Sequence, residues 1–232
     1  RQGYCVKVIT KYREHDYSGF LHKYSIELEM WGKSRFPKLS ASDKKMFSWI
    51  TGSLSRFLSL FFEYPGIEDM FRVRQILKSE DKYDLMISFA VPYPVHWGVS
   101  WARTSKRKIA ATWIADCGDP YMGDIVDTFR KPFYFSYLEK AFCRKADFIT
   151  IPIEGAREGY YREFHDKIKI IPQGFDFEIN NKTEKTSRNK VPTFAYSGGF
   201  IAGVRDPDQL MRYLTSVEKP LRFYVYTNSP ES

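Results

Sequence analysis

The sequence predicts an α/β fold: a Rossmann-like parallel sheet with helices on both faces, followed by the beginning of a second domain of the same kind. Three observations carry this. KYDLMISFA is an apolar run bounded by charge and by VPYP, VHWGVSWARTSKRK has apolar residues at helical spacing and a basic end, and IAATWIA is the next apolar run. Strand, helix and strand in that order form a right-handed crossover with parallel strands. His96 follows the first of these strands, and Asp116 and Asp119 follow the second, so both loops open on the sheet edge where open α/β folds bind ligands. After residue 190 the alternation restarts, with VPTFAYSGG, DPDQLMRYLTSV and PLRFYVYT reading as strand, helix and strand.

The remaining elements follow in chain order. Tyr4–Thr10 and Tyr24–Met30 read as strands separated by a polar loop over residues 11–23. Lys44–Phe62 is a helix with a wide apolar face and basic residues near its start, entered from Ser42 or Asp43 as a cap. Two readings of that helix stay open. It packs on the core, or it lies on a bilayer, which would account for the crowding of Trp49, Phe57, Phe61 and Phe62. A helix over Glu68–Ser79 leads into the organising unit. Beyond it, Pro132 opens a helix ending near Lys145, DFITIP is a short strand, Glu154–Phe164 is a helix with an acid in its first turn, and KIKIIP is a strand. The polar run over residues 179–190 reads as a linker, which divides the chain into domains 1–178 and 191–232.

The formal charge of +8 points to an anionic partner. The basic residues are dispersed along the chain and form no tract, which favours phosphorylated small molecules or an acidic lipid surface over nucleic acid. Cys5, Cys117 and Cys143 have no CxxC spacing, the pattern of reduced thiols in a cytoplasmic setting. No apolar run reaches the ~20 residues of a membrane span.

Taken alone, each candidate residue has a plain structural reading. A lone histidine such as His96 is usually part of a core. Asp116 and Asp119 could be a helix cap and a turn former, and Gly174 and Asp176 belong to a turn by composition. Gly198 and Gly199, with Gly203, do not match the dinucleotide fingerprint, and no acid follows the next strand to hold a ribose. A phosphate cradle with Arg205 beside it competes there with a simple tight turn. With one histidine nearby and no second ligand cluster, no metal is expected.

The series FAVPYPVHWGVSWA, IAATWIADCGDPY, KADFITIPIEG, KIKIIPQGFDFE and FAYSGGFIAGVRDP, in this order over about residues 83–210, resembles the family-4 glycosyltransferases of the GT-B fold. These are retaining enzymes of bacterial polysaccharide and glycolipid assembly. The resemblance implies an acceptor-binding domain facing a nucleotide-sugar-binding domain, and metal-independent hexosyl transfer to a saccharide or lipid-linked acceptor. The expected location is cytoplasmic, and the bilayer reading of the Lys44–Phe62 helix would make the protein peripheral at the inner face of the plasma membrane.

His96 falls in the family's histidine loop, and Asp116 and Asp119 match its aspartate loop. Gly174 and Asp176 match its Asn-Gly-x-Asp turn, with Gln173 in place of Asn, and Gly198, Gly199 and Arg205 match the start of its donor domain. The resemblance further implies that the family's first strand and its donor-domain pair of glutamates are missing. The chain is then a fragment without full activity, whose sheet carries an empty central slot. Two other classes remain beside this one: a nucleotide-sugar epimerase of the same architecture, and a non-catalytic binder of sugar nucleotides or anionic lipid.

Overall fold

The computed structural model describes residues 3–36, 45–124, 130–174, 189–200 and 205–227. The chain divides into two units, Arg1–Gln173 and Gly174–Ser232. The expected linker lies outside the described residues over 179–188, as do Asp176 and Gly203.

The first unit contains two parallel sheets. Strands β1 (Val6–Lys11) and β2 (Ile26–Trp31) pair with each other. Strands β3 (Tyr83–Phe89), β4 (Ala110–Asp116), β5 (Phe148–Ile151) and β6 (Ile168–Ile170) form a four-stranded sheet in that order, parallel throughout. Helices α1 (Ser18–Tyr24), α2 (Lys45–Phe62), α3 (Ile67–Ile76), α4 (Pro94–Ala102) and α5 (Phe135–Lys145) complete the unit.

Two helices follow from their patterns. Phe135, Glu139, Phe142 and Cys143 of α5 are buried at helical spacing, so one stripe faces inward. Helix α4 is buried nearly all round, from His96 and Trp97 to Val99, Ser100 and Ala102, as a central helix must be. It touches α3 closely because Gly98 lets it: a Cβ there would sit 2.6 Å from the Met70 carbonyl oxygen and 2.8 Å from Val73 Cβ.

The core lies between these helices and one face of the four-stranded sheet. On that face Ser88, Ala115, Ile149 and Ile168 stand in one row across the register, with Trp113 beside them, all buried. Of the helices expected on both faces, the described residues place α4 and α5 on this one. The opposite row runs through Ile87, Ile114 and Phe148, and among the described residues Leu85, Ile87 and Phe89 stay 48%, 46% and 61% exposed.

Other differences have local causes. The segment 11–23, expected as loop, contains α1, which buries no residue and therefore shows no apolar period. Helix α4 ends at Ala102 and does not run through the basic tail. The Arg103 side chain instead turns inward to the carbonyls of Lys108 and Ala110, at 3.0 and 2.9 Å, and to Asp147 at 2.8 Å. The expected helix over 154–164 is replaced by two 3-10 segments, Glu154–Gly159 and Arg162–Lys167.

In the second unit, β7 (Thr193–Ser197) pairs in parallel with β8 (Arg222–Tyr226), and α6 (Asp208–Ser216) connects them. Strand, helix and parallel strand thus recur as expected.

Candidate functional site

The loops leaving β3, β4 and β5 are tied into one rim at the carboxyl ends of these strands. Tyr93, at the start of α4, donates its hydroxyl to the Asp119 carbonyl in the loop after β4. The same hydroxyl lies 3.4 Å from that of Tyr160, which follows the 3-10 segment after β5. Backbone meets backbone between the last two loops: a Cβ on Gly123 would fall 2.2 Å from the Gly159 carbonyl oxygen, and one on Gly159 would fall 2.3 Å from Pro120 Cγ. Two glycines and a proline therefore let the DCGDPYMGD loop lie flat on the EGAREG segment.

Below this rim His96 is wholly buried, and both ring nitrogens are engaged. Nδ1 is 2.8 Å from Ser88 Oγ, and Nε2 is 3.4 Å from Cys117 Sγ. Trp113 Nε1, which can only donate, reaches the same Ser88 oxygen at 2.8 Å. One directed chain satisfies every donor: the Trp113 indole to Ser88 Oγ, the Ser88 hydroxyl to His96 Nδ1, and His96 Nε2–H to Cys117 Sγ. Burial lowers the imidazole pKa to about 3, and the main-chain group of Asp116, which favours the charged form, offsets this only in part. His96 is thus a neutral pin joining the end of β3 to the start of the β4 loop. Burial likewise pushes the Cys117 thiol up to about 12, which leaves it protonated and inert as a nucleophile.

The acidic residues stand above the pin. Asp116 closes β4, and its Oδ1 accepts the Thr150 hydroxyl of β5. The Asp119 carboxylate is exposed on the rim while its carbonyl is fastened by Tyr93. Glu139 braces the loop from α5, with Oε1 3.4 Å from the Met122 amide. Its Oε2 has no hydrogen-bond partner among the described residues, and burial raises the carboxyl pKa.

His96, Asp116 and Asp119 therefore lie at one carboxyl edge of the sheet, His96 beneath the rim and the two aspartates in the loop above it. Asp119 is open to solvent, Asp116 is half-buried, and His96 is enclosed. Tyr93, Tyr160 and Glu139 were not anticipated. The PYP context of Tyr93 was the available signal for one of them, whereas Tyr160 and Glu139 come from later elements that only the fold brings near. Among the described residues no three His, Cys, Asp or Glu side chains gather as a metal-binding group.

In the second unit the Gly198 amide donates to the Tyr226 carbonyl at 2.9 Å. The Gly199 carbonyl accepts the Tyr196 hydroxyl at 2.9 Å. Arg205 is exposed just before α6, where the Asp206 carboxylate accepts the Asp208 amide at 3.1 Å. Gly174 is exposed at the start of this unit.

Neither a protein-family model nor a curated protein matches this chain.

Proposed function

We propose that this chain belongs to a glycosyltransferase that moves a sugar from a nucleoside diphosphate to a saccharide or lipid-linked acceptor with retention of configuration. The observation that carries this reading is the common rim. A buried neutral histidine fixes a loop that presents an exposed carboxylate, Asp119, at the carboxyl edge of a parallel sheet. In this reading Asp119 orients the acceptor hydroxyl, and His96, Tyr93 and Asp116 are positioning residues that hold its loop. Because Gly198 already donates to β8, contact with the diphosphate falls to the Gly199 amide and Arg205, with Gly174 and Asp176 at the turn between domains.

The chemistry suits such groups. The anomeric carbon–oxygen bond breaks, the acceptor oxygen bonds to the same face of that carbon, and its proton passes to the departing phosphate oxygen. Each fixed donor aimed at the charge growing on that phosphate is worth about 3 kcal/mol.

The test is an assay of the intact protein carrying this chain, with a panel of nucleoside diphosphate sugars and saccharide or lipid-linked acceptors. Release of nucleoside diphosphate is expected only with acceptor present, and Asp119→Asn should lower turnover roughly a hundredfold. Sugar interconversion without acceptor would make it an epimerase, binding without turnover would make it a module, and an unaffected Asp119→Asn would remove the rim from the chemistry.

The lipid-linked acceptor fits α2. Leu54, Phe57 and Phe62 of this helix are exposed, and the rings of Phe57 and Phe61 stack at 4.6 Å. No helix among the described residues is long and apolar enough to cross a membrane, so the proposed contact is peripheral, with α2 lying on an anionic leaflet. Co-sedimentation with phosphatidylglycerol vesicles is expected for the unaltered chain. It should be lost on Phe57→Asp and weakened by charge reversal at Lys44 and Lys45. Equal sedimentation of all variants would contradict this contact.

A further inference from the structure

Among the described residues, strand β1 has a partner only on its β2 side and β3 only on its β4 side. The unpaired edges of both line one cavity of about 400 Å3, floored by Val73, Leu77, Val95 and Val99. The two edges run in the same direction. Lys7, near the start of β1, bonds Glu80 just ahead of β3 at 2.8 Å. Lys11, at the end of β1, bonds Asp69 near the start of α3 at 3.2 Å, and α3 returns into β3 through a short turn.

The backbone directions complete the picture. The Tyr83 amide donates to Ile109 and the Tyr12 amide to Trp31, both away from the cavity. Successive residues of a strand point their amides to opposite sides. The amides of Asp84, Met86 and Ser88, and those of Lys7, Ile9 and Lys11, therefore face into it.

A charged ligand finds little purchase along the strand edges, since Lys7 is neutralised by Glu29 and Glu80 and Lys11 by Asp69, and the remaining lining cation, Arg13, stands beyond the end of β1. A compact apolar ligand would leave two rows of backbone donors and acceptors without partners, a costly arrangement once water is excluded. An extended backbone meets both rows at the repeat of a strand. We propose that this cavity receives an apolar polypeptide segment as a strand between β1 and β3, fusing the two sheets into one. With six residues in β1 and seven in β3, the inserted stretch is about six residues, or ~20 Å, long. Its side chains on one face would extend the core beside Ile9 and Met86, and those on the other would lie along the exposed row of Leu85, Ile87 and Phe89. This inference is independent of the sugar-transfer reading.

The experiment uses the 232-residue chain and a capped peptide of alternating valine and isoleucine with a lysine at each end. It compares that peptide with the same one N-methylated at every second amide, and with decanoate. Saturable 1:1 binding of the first peptide is expected. Hydrogen exchange at the Ile9 and Met86 amides should slow at least about tenfold, and N-methylation should weaken binding by about tenfold or more. Three results would each overturn the proposal: no slowing at those amides, equal binding of the N-methylated peptide, or decanoate displacing the peptide and occupying the cavity alone.

Discussion

Gly98→Ala is expected to destabilise the first unit by about 3 kcal/mol, which for a unit of this size lowers the melting temperature by roughly 6–12 °C. The new methyl group would fall 2.6 Å from the Met70 carbonyl oxygen and 2.8 Å from Val73 Cβ, and the first of these atoms is backbone. Helix α3 cannot yield by rotating a side chain, so α3 and α4 must separate. Alanine favours a helix over glycine by about 1 kcal/mol, too little to offset the clash. Gly52→Ala in α2, where no atom of the described residues outside its own turn lies within 4 Å of the new Cβ, is the matched control and should be neutral or slightly stabilising. Calorimetry of both variants checks the contrast, and equal melting temperatures would show that the helix contact is not as close as described. Because α4 carries Tyr93 and His96, its displacement should also release the rim.

The second large effect belongs to His96. Its folded pKa of about 3 lies below the ordinary 6.5, so protons bind preferentially to the unfolded chain. The stability due to the neutral ring is complete above pH 6.5. It is lost as pH falls toward 3, at about 1.4 kcal/mol per pH unit once the unfolded histidine is charged. Glu68 does not share that window. Burial raises its carboxyl, but the Ser34 hydroxyl, the Arg35 and Phe36 amides and the Arg72 guanidinium outweigh burial and hold it at about 2. Its contribution is therefore lost only below pH 4.5. Glu139, with its raised pKa, contributes in the opposite sense, with stability lost as pH rises.

His96→Phe should accordingly do two things. At pH 7 it costs about 2–4 kcal/mol, because Ser88 and Cys117 lose a buried partner. Between pH 6.5 and 4.5 it removes one proton's worth of acid sensitivity, so the gap to the unaltered protein narrows as pH falls. Urea melts at pH 7 and pH 5 measure both. An acid slope unchanged by the substitution would mean that the ring already titrates normally in the folded state. Under the proposed transferase reading, turnover should drop as well, since the Cys117–Asp119 loop loses its anchor.

The four-stranded sheet of the first unit was legible because β3, β4 and β5 are short apolar runs bounded by charge, proline or a turn. Helix α5 was legible because Phe135, Phe142 and Cys143 recur on one stripe. What escaped had no periodic trace. Helix α1 buries nothing. Arg103 reads as one member of a basic helix end, yet its guanidinium donates to the carbonyls of Lys108 and buried Ala110 and to an aspartate, because a long cationic side chain can serve the interior when its donors are matched. The stretch 154–164 has helical composition, but Gly159 must lie against Pro120 and Gly123, and the chain breaks there into two tighter turns.

The rim shows the same division. The locations of His96, Asp116 and Asp119 follow from strand order alone. The enclosure of His96 does not, because its partners Ser88 and Cys117 look like an ordinary strand residue and a stray thiol until β3 and β4 are set side by side.

The central claim is that His96 is a neutral, enclosed pin between the two loops, with Asp119 as the group offered to a ligand. Nitrogen-15 chemical shifts of the His96 ring, followed from pH 8 to pH 5, test it most directly. The account predicts a single Nε2–H tautomer with shifts unchanged over the whole range. A titration with its midpoint near 6.5 would place the ring in solvent and contradict it.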